Sequence, residues 1–593
     1  LLLPRASDPS NPVTIITMNR FINLTVMCFA LVWGVLSCQQ QVAVPATAPL
    51  LPLTKLFPTV QQPASLFSAS IIASSVLDLS QGKARVIVPV SNGLIAALDA
   101  KTGQVDWQVN LPAPHGAEEV QLVATPVLAG DKLIVLYQCL EQSVRISHRL
   151  AVLDLARQQL DSEFPILEIN AEKSAADGKG TVKFNPKTAF SHAELKHILP
   201  SGSKWGLVYA GFGNSSDVQP FHGWLFEIDL DAWHQHGPQH AVRNVLLTTP
   251  ESTCPVTLFH GTQEMICGGG IWSPAGITIV PDGSGDFDLF VPTGNGQVDI
   301  ARHDYSNAVL KLKPGLQFHD GCETRLCQNF DPLNPSESCI SSCKNLFIPR
   351  LMPNDLPIKP ADGECDQRNF WECLAWLDFD LGANTPIKVT LKDGRSVLVQ
   401  PGKDGGAYLI DAEHLGIQYD RMQIAEVCGT PTDGCARTWM GMIVTEPVQS
   451  QVDGEPVVVI PTFMPDKSHP AGLVALKITL ENGQPTFKRF WQFPNPNSPE
   501  ALQAFRSHPS LPAITHNEAG DDVVWIVDIG LPGTLYGVRI KDGQLMAKQT
   551  LQGTGRQQSR PLVYQNSLYI ASIKPSTGQG FIEAYQVEIR PIP

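Results

Sequence analysis

Short apolar runs separated by glycine-containing turns recur along most of this chain. Arg85-Val86-Ile87-Val88-Pro89 leads through Asn92-Gly93 into Leu94-Ile95-Ala96-Ala97-Leu98-Asp99, and Thr102-Gly103 then turns into Gln104-Val105-Asp106-Trp107. Short apolar runs bounded by turn residues predict buried strands, and Asn-Gly between two of them is a strong hairpin signal. The same order returns in eight segments, near 81–111, 121–154, 204–234, 270–314, 377–415, 455–493, 511–550 and 560–589. A four-stranded unit cannot bury both of its faces alone, so such units pack face to face around an axis. The pattern predicts an all-β fold, an eight-bladed β-propeller over residues 64–593, with a strand inside Leu66–Leu79 closing the ring. Helical periodicity is confined to Ala193–Leu199 and Pro499–Phe505.

Composition agrees with many turns. The 593 residues include 47 Gly and 48 Pro, which excludes a coiled coil or long-helix bundle. The formal charge of -14 argues against nucleic acid as the partner. Met18-Asn19-Arg20 followed by the apolar Phe21–Leu36 reads as a bacterial export signal, which makes Leu1–Thr17 upstream of the true start. Val35-Leu36-Ser37-Cys38 is similar to a lipoprotein processing box with Cys38 as the acylated residue; an ordinary cleaved signal and an uncleaved anchor are the alternatives. Residues 38–63, rich in Pro, Ala and Gln, read as a flexible tether. The expectation is a periplasmic or outer-membrane-associated protein held to the membrane by lipid.

Cysteine placement fits that compartment. Cys254 and Cys267 flank one short loop and Cys428 and Cys435 another, while Cys322, Cys327, Cys339, Cys343, Cys365 and Cys373 cluster. These six predict a disulfide-rich insertion, 316–376, between blades four and five, suited to covering a ligand or docking a protein partner. A zinc site is the alternative, but the spacings lack paired C-x2-C knuckles. Cys139 is the odd cysteine, expected in a buried strand.

Ala97-Leu98-Asp99-Ala100-Lys101-Thr102-Gly103 followed by Trp107 resembles the blade motif of propellers of the pyrroloquinoline-quinone type, whose ring has eight blades. Pro292-Thr293-Gly294-Asn295-Gly296 resembles the segment of the quinoprotein alcohol dehydrogenases whose Asn binds calcium beside the quinone; Asn295 is the matching position. Asp304, heading Asp304–Leu312, is the closest match to the family's catalytic Asp and to a second calcium ligand. Trp376-Leu377-Asp378-Phe379-Asp380 resembles the later Trp-Asp-x-Asp segment with one residue displaced. Gly402-Lys403-Asp404-Gly405 resembles a Gly-Lys-Asp-Gly segment near the quinone, which makes Lys403 a candidate cofactor contact. The family's adjacent cysteine pair is absent, because no two cysteines are consecutive.

The resemblance implies calcium and pyrroloquinoline quinone as cofactors, with a carboxylate taking the alcohol proton. The residues by themselves also allow plainer roles: Asn295 in a turn, Asp304 capping a strand, Asp378 and Asp380 on one face of an extended segment, and Lys403 in a turn. Arg395 belongs to a hairpin turn, the repeat tryptophans to packing, and His234, His236 and His240 to a polar loop. Two functions follow. One is an exported, lipid-anchored, quinoprotein-like propeller acting as a binding or scaffold protein, similar to an outer-membrane assembly scaffold in one form. The other is a calcium- and quinone-dependent alcohol dehydrogenase passing electrons to a separate cytochrome.

Overall fold

Each repeat folds into an antiparallel meander. The structure, a computed structural model, describes residues 50–587 except 58–66, 215–219, 255, 260–261, 266, 283–285, 297, 359–362, 364, 426, 428–442, 464–471, 496–497, 499–503, 506–507 and 517–520. Blade one pairs Val76–Asp78, Arg85–Pro89, Leu94–Asp99 and Val105–Asn110 in chain order. Seven more sheets of four to six strands follow, and the last contains Leu562–Tyr564, Ser567–Ile573 and Gly580–Val587. The fold is the all-β, eight-bladed propeller that the repeats predict.

The apolar runs are continuous because each inner strand is covered on both faces. Val86, Val88, Ala96 and Leu98 pack with Tyr569 and Ile582 of blade eight, while Ile87, Ile95 and Ala97 pack with Leu133 and Val135 of blade two. The recurring aliphatic-Asp pair ends a strand by capping a turn. Asp99 Oδ1 accepts from the main-chain N–H groups of Lys101 and Thr102, and Asp411 Oδ1 does the same for Glu413 and His414. Gly103 turns there at φ 70°, and a Cβ on it would lie 2.8 Å from the Phe57 ring.

Ring closure differs from the expectation. Leu53–Lys55 pairs with Tyr585–Val587 as the outer strand of blade eight, with Leu53 opposite Val587. Val76–Asp78, the strand within Leu66–Leu79, instead begins blade one against Arg85–Ile87. Part of the stretch read as a tether is therefore propeller; a three-residue edge strand has too little pattern to stand out from its proline-rich surroundings. The export signal, Cys38 and residues 38–49 and 58–63 lie outside the described residues, as do Cys428 and Cys435.

The segments that lead into the first strand of each blade bond to one another around much of the ring. Ser74 N donates to Thr125 Oγ1, Leu195 N to the Thr125 carbonyl, and Glu194 N to the Pro274 carbonyl. Thr385 N donates to the Thr445 carbonyl, Leu511 N to the Ser559 carbonyl, and Arg560 N to Ser74 Oγ. From this rim the Arg560 guanidinium of blade eight reaches Glu194 of blade three at 2.8 Å and also Glu446 of blade six. Blades that are not neighbours meet only across the axis, so this ion cluster spans the centre of the ring.

The disulfide-rich stretch is two excursions rather than one insertion. Leu346–Phe347 pairs with Val309–Leu310 as the fourth strand of blade four. Residues 317–345, inside blade four, carry Cys322–Cys343 and Cys327–Cys339, and residues 348–386, between blades four and five, carry Cys365–Cys373. All six thiols are thus paired as disulfides, the state that the clustered cysteines predict. Cys139 is free and buried in the strand Lys132–Glu141.

Three local expectations are corrected. Phe370–Leu377 is a helix with an Asn369/Glu372 capping box, and it ends at Asp378 with φ 58°, so Trp376–Asp380 is not extended. Ala193–Leu199 holds the strand Lys196–Ile198, paired with Leu207–Tyr209. His234 and His236 lie on the helix Leu230–His236, where His234 Nε2 meets Glu163 at 3.2 Å. Arg395 does close a hairpin turn, paired with Asp393.

Candidate functional site

Strand direction alternates within a blade, so inter-blade connections and the turns after each second strand share one end of the propeller. Trp272, Asn295, Asp304, Asp378, Asp380 and Lys403 all fall in such segments.

Lys403 follows Ser396–Pro401 in the turn Gly402–Gly405 and is only 1 % exposed. Its Nζ lies 3.2 Å from Asp378 Oδ2 and 3.2 Å from Asp380 Oδ2. The C-terminus of the helix Phe370–Leu377 delivers both carboxylates; the left-handed turn at Asp378 redirects the chain so that both meet one ammonium. The Trp272 ring, partly exposed, has its centroid 5.3 Å from Lys403 Nζ. Glycines let the main chain close around these groups: a Cβ on Gly382 would lie 2.4 Å from Gly294 N, and one on Gly294 would lie 2.8 Å from Trp272 Nε1. The next residue, Asp404, accepts from Tyr408 Oη at 2.8 Å and from Arg421 Nη2 at 2.5 Å. Arg421 Nη1 in turn lies 3.6 Å from Asp355 of the second excursion.

The cluster holds one cation between two buried carboxylates. Burial pushes Asp380 up to about 7; Lys403 opposes this and Asp378 adds to it. Burial disfavours the Lys403 ammonium, yet Asp378 and Asp380 outweigh it and hold its pKa above the ordinary lysine value. Asp380 Oδ1 has no hydrogen-bond partner among the described residues.

Asp304 belongs to a second cluster. Arg302 Nε lies 3.7 Å from its Oδ2, and Arg302 Nη2 also pairs with Glu251 Oε2. Burial pushes Asp304 up to about 8, helped by Glu251 and Asp299 and opposed by Arg302. Asn295, partly exposed, gives its main-chain carbonyl to Gly269 N at 2.6 Å. The side chains of Asn295 and Asp304 have no partner in common among the described residues.

The arrangement sorts the implied cofactors. Calcium takes six to eight oxygen ligands; Asp304 Oδ1 is a buried oxygen with no hydrogen-bond partner among the described residues, while Asp304 and Glu251 both face the Arg302 guanidinium, which such an ion would have to displace. A quinone fits better beside Lys403: Trp272 has an open part to its ring, the ammonium donates, and Asp380 Oδ1 is a buried acceptor without a partner.

Glu251 and Arg302 escape the sequence reading, and Trp272 enters it only among the packing tryptophans of the repeats. Glu251 and Arg302 stand in no motif and meet only through the tertiary fold. Trp272 does carry a local signal, the preceding Gly268-Gly269-Gly270, which packs main chain against Gly213, Thr248 and Asn295.

Residues 59–170 match a family profile described as outer membrane protein assembly factor BamB. No curated protein matches the chain. The chain has the pyrroloquinoline-quinone-type propeller fold, and solved structures share it at low sequence identity. A quinohemoprotein alcohol dehydrogenase, ADHIIG, from Pseudomonas putida HK5 superimposes with TM-score 0.51 and 12% identity, over 91% of this chain and 78% of that one. A europium-containing methanol dehydrogenase gives TM-score 0.50 and 13% identity, over 91% and 93%. BamB from Moraxella catarrhalis gives TM-score 0.40 and 10% identity, over 91% and 100%.

Proposed function

We propose that this chain is an exported, lipid-anchored binding propeller whose ligand is a flat, polar organic molecule of the quinone class, held against Trp272 by Lys403. The observation that carries this reading is the buried Asp378–Lys403–Asp380 cluster beside a partly exposed tryptophan. Burying ions costs several kcal/mol each before pairing offsets it, and perturbed carboxyls concentrate at functional sites. The match of residues 59–170 to an assembly-factor family supports a binding or scaffold role. In this reading Cys38 carries the lipid, the protein resides in the periplasm or at the outer membrane, and the disulfide-rich stretch 316–376 docks a protein partner.

The dehydrogenase reading is favoured by one observation: Asp380, held near 7 beside Lys403, suits a group that takes a proton from an alcohol. Bound pyrroloquinoline quinone would supply the two-electron chemistry. That reading assigns calcium to Asn295 and Asp304 and gives Asp304 or Asp380 the role of base.

Equilibrium dialysis against pyrroloquinoline quinone, with and without calcium, separates the two when followed by alcohol-dependent dye reduction. The expected result is saturable binding that ignores calcium, weakens at least tenfold in Trp272→Ala, and yields no dye reduction. Failure to bind at saturating quinone under either condition sinks the ligand assignment. Vigorous, calcium-dependent dye reduction replaces the binding reading with the dehydrogenase.

A further inference from the structure

A second group of ligand-type side chains lies apart from Lys403. The ligand atoms of His222, Cys254 and Cys267 all lie within 4.8 Å of one another. Cys254 and Cys267 are joined as a disulfide, and both are buried. His222 belongs to blade three and forms a parallel bridge with Gly268, the residue after Cys267. Its Nδ1 lies 2.8 Å from the Thr249 carbonyl oxygen. A carbonyl only accepts, so Nδ1 carries the hydrogen, and the neutral ring keeps its lone pair on Nε2. An imidazole that donates one N–H to a main-chain carbonyl is oriented as metal-binding histidines are.

We infer that reduction of Cys254–Cys267 opens a site for one thiophilic divalent ion of the zinc type. Its ligands are Cys254 Sγ, Cys267 Sγ and His222 Nε2, with a fourth position open. The reductant is a dithiol, which supplies two electrons and two protons. The protein S–S bond breaks, two thiols form, and the donor leaves as its own disulfide. Each thiol then releases its proton as the ion binds, so two thiolates and a neutral imidazole surround the metal. Bonds of about 2.0–2.3 Å in a tetrahedral zinc shell set the sulfurs farther apart than in the disulfide, and the imidazole closes toward them.

The position gives this exchange a structural consequence. The Cys267 carbonyl accepts from Ser306 Oγ at 3.4 Å, and Gly268 packs so closely that a Cβ would lie 2.0 Å from the Asn295 carbonyl oxygen. The metal therefore takes over from the disulfide as the brace of the segment that supports Asn295. Cys322, Cys327 and Cys343 also gather within 4.8 Å. They lack a histidine and supply a thiol background shared by every variant below.

The full chain, reduced with dithiothreitol and exchanged into metal-free buffer under nitrogen, is titrated with zinc against a chromophoric chelator and with cobalt for the visible spectrum. The reduced wild type is expected to hold one zinc more than the Cys254→Ser/Cys267→Ser double variant. Its cobalt form should show the intense d–d and thiolate charge-transfer bands of a tetrahedral site. His222→Ala should weaken that one zinc at least tenfold while the oxidised protein still forms the Cys254–Cys267 disulfide. Equal zinc content in wild type and double variant overturns the proposal. So does a His222→Ala affinity equal to wild type, or loss of the near-ultraviolet circular dichroism on reduction before metal is added.

Discussion

Asp304 and Asp380 are the residues whose protonation the fold changes most visibly in the direction of the neutral acid. Burial pushes them up to about 8 and about 7, whereas in an unfolded chain both ionise near pH 4. Between those limits the folded protein holds protons that the unfolded chain has released. Their contribution to stability is complete below about pH 4 and is lost as pH rises through 7 and then 8. The melting temperature should therefore fall from pH 5 to pH 8, and Asp304→Asn should flatten that slope. At pH 8 the variant should gain on the order of 2 kcal/mol over wild type. Scanning calorimetry at the two pH values checks this; a variant less stable than wild type at pH 8 would mean that Asp304 is ionised and paired with Arg302. Lys403, Asn295 and Asp304 were legible as candidates because each sits in a short motif. The contacts that set their chemistry were not, because burial, the pairing of Lys403 with Asp378 and Asp380, and the approach of Glu251 to Arg302 arise only when distant segments meet.

Among the elements, the helix Phe370–Leu377 does most to build the site, since it delivers Asp378 and Asp380 to Lys403. The Cys365–Cys373 bridge ties its first half to the preceding loop. Cys365→Ser/Cys373→Ser should cost about 2–4 kcal/mol locally and weaken quinone binding, while the main melting transition moves little. Hydrogen exchange over residues 370–378 reads this directly: faster exchange confined to that helix is expected, and unchanged exchange would show that the bridge does not hold it. Strand runs such as Arg85–Pro89 were legible because coverage on both faces demands unbroken apolar sequence. Leu53–Lys55 and Leu346–Phe347 were not, because two or three residues carry no periodicity and become strands only through their partners. The helix itself was hidden because the alternation of Asp378 and Asp380 suggests one face of an extended segment.

For the whole molecule, the cross-axis cluster and the blade-eight seam decide how the ring holds together. Arg560→Ala leaves Glu194 and Glu446 facing each other near the axis without their shared cation. Lys196, 3.1 Å from Glu194, offsets part of the loss, so a cost of about 2 kcal/mol is expected. Chemical denaturation measures it, and an Arg560→Lys variant should recover part. The seam has a different consequence. Leu53–Lys55 is joined to blade eight by hydrogen bonds and packing alone, so the order of blades is circular even though the chain is linear. Its antiparallel register sets Leu53 opposite Val587, the geometry of a hairpin whose connecting peptide is missing. A circular permutant that begins at Phe67 and carries residues 50–57 directly after Val587 should therefore fold to the same ring with a covalent seam. It would also resist separation of its first and last blades in a way the natural chain order does not.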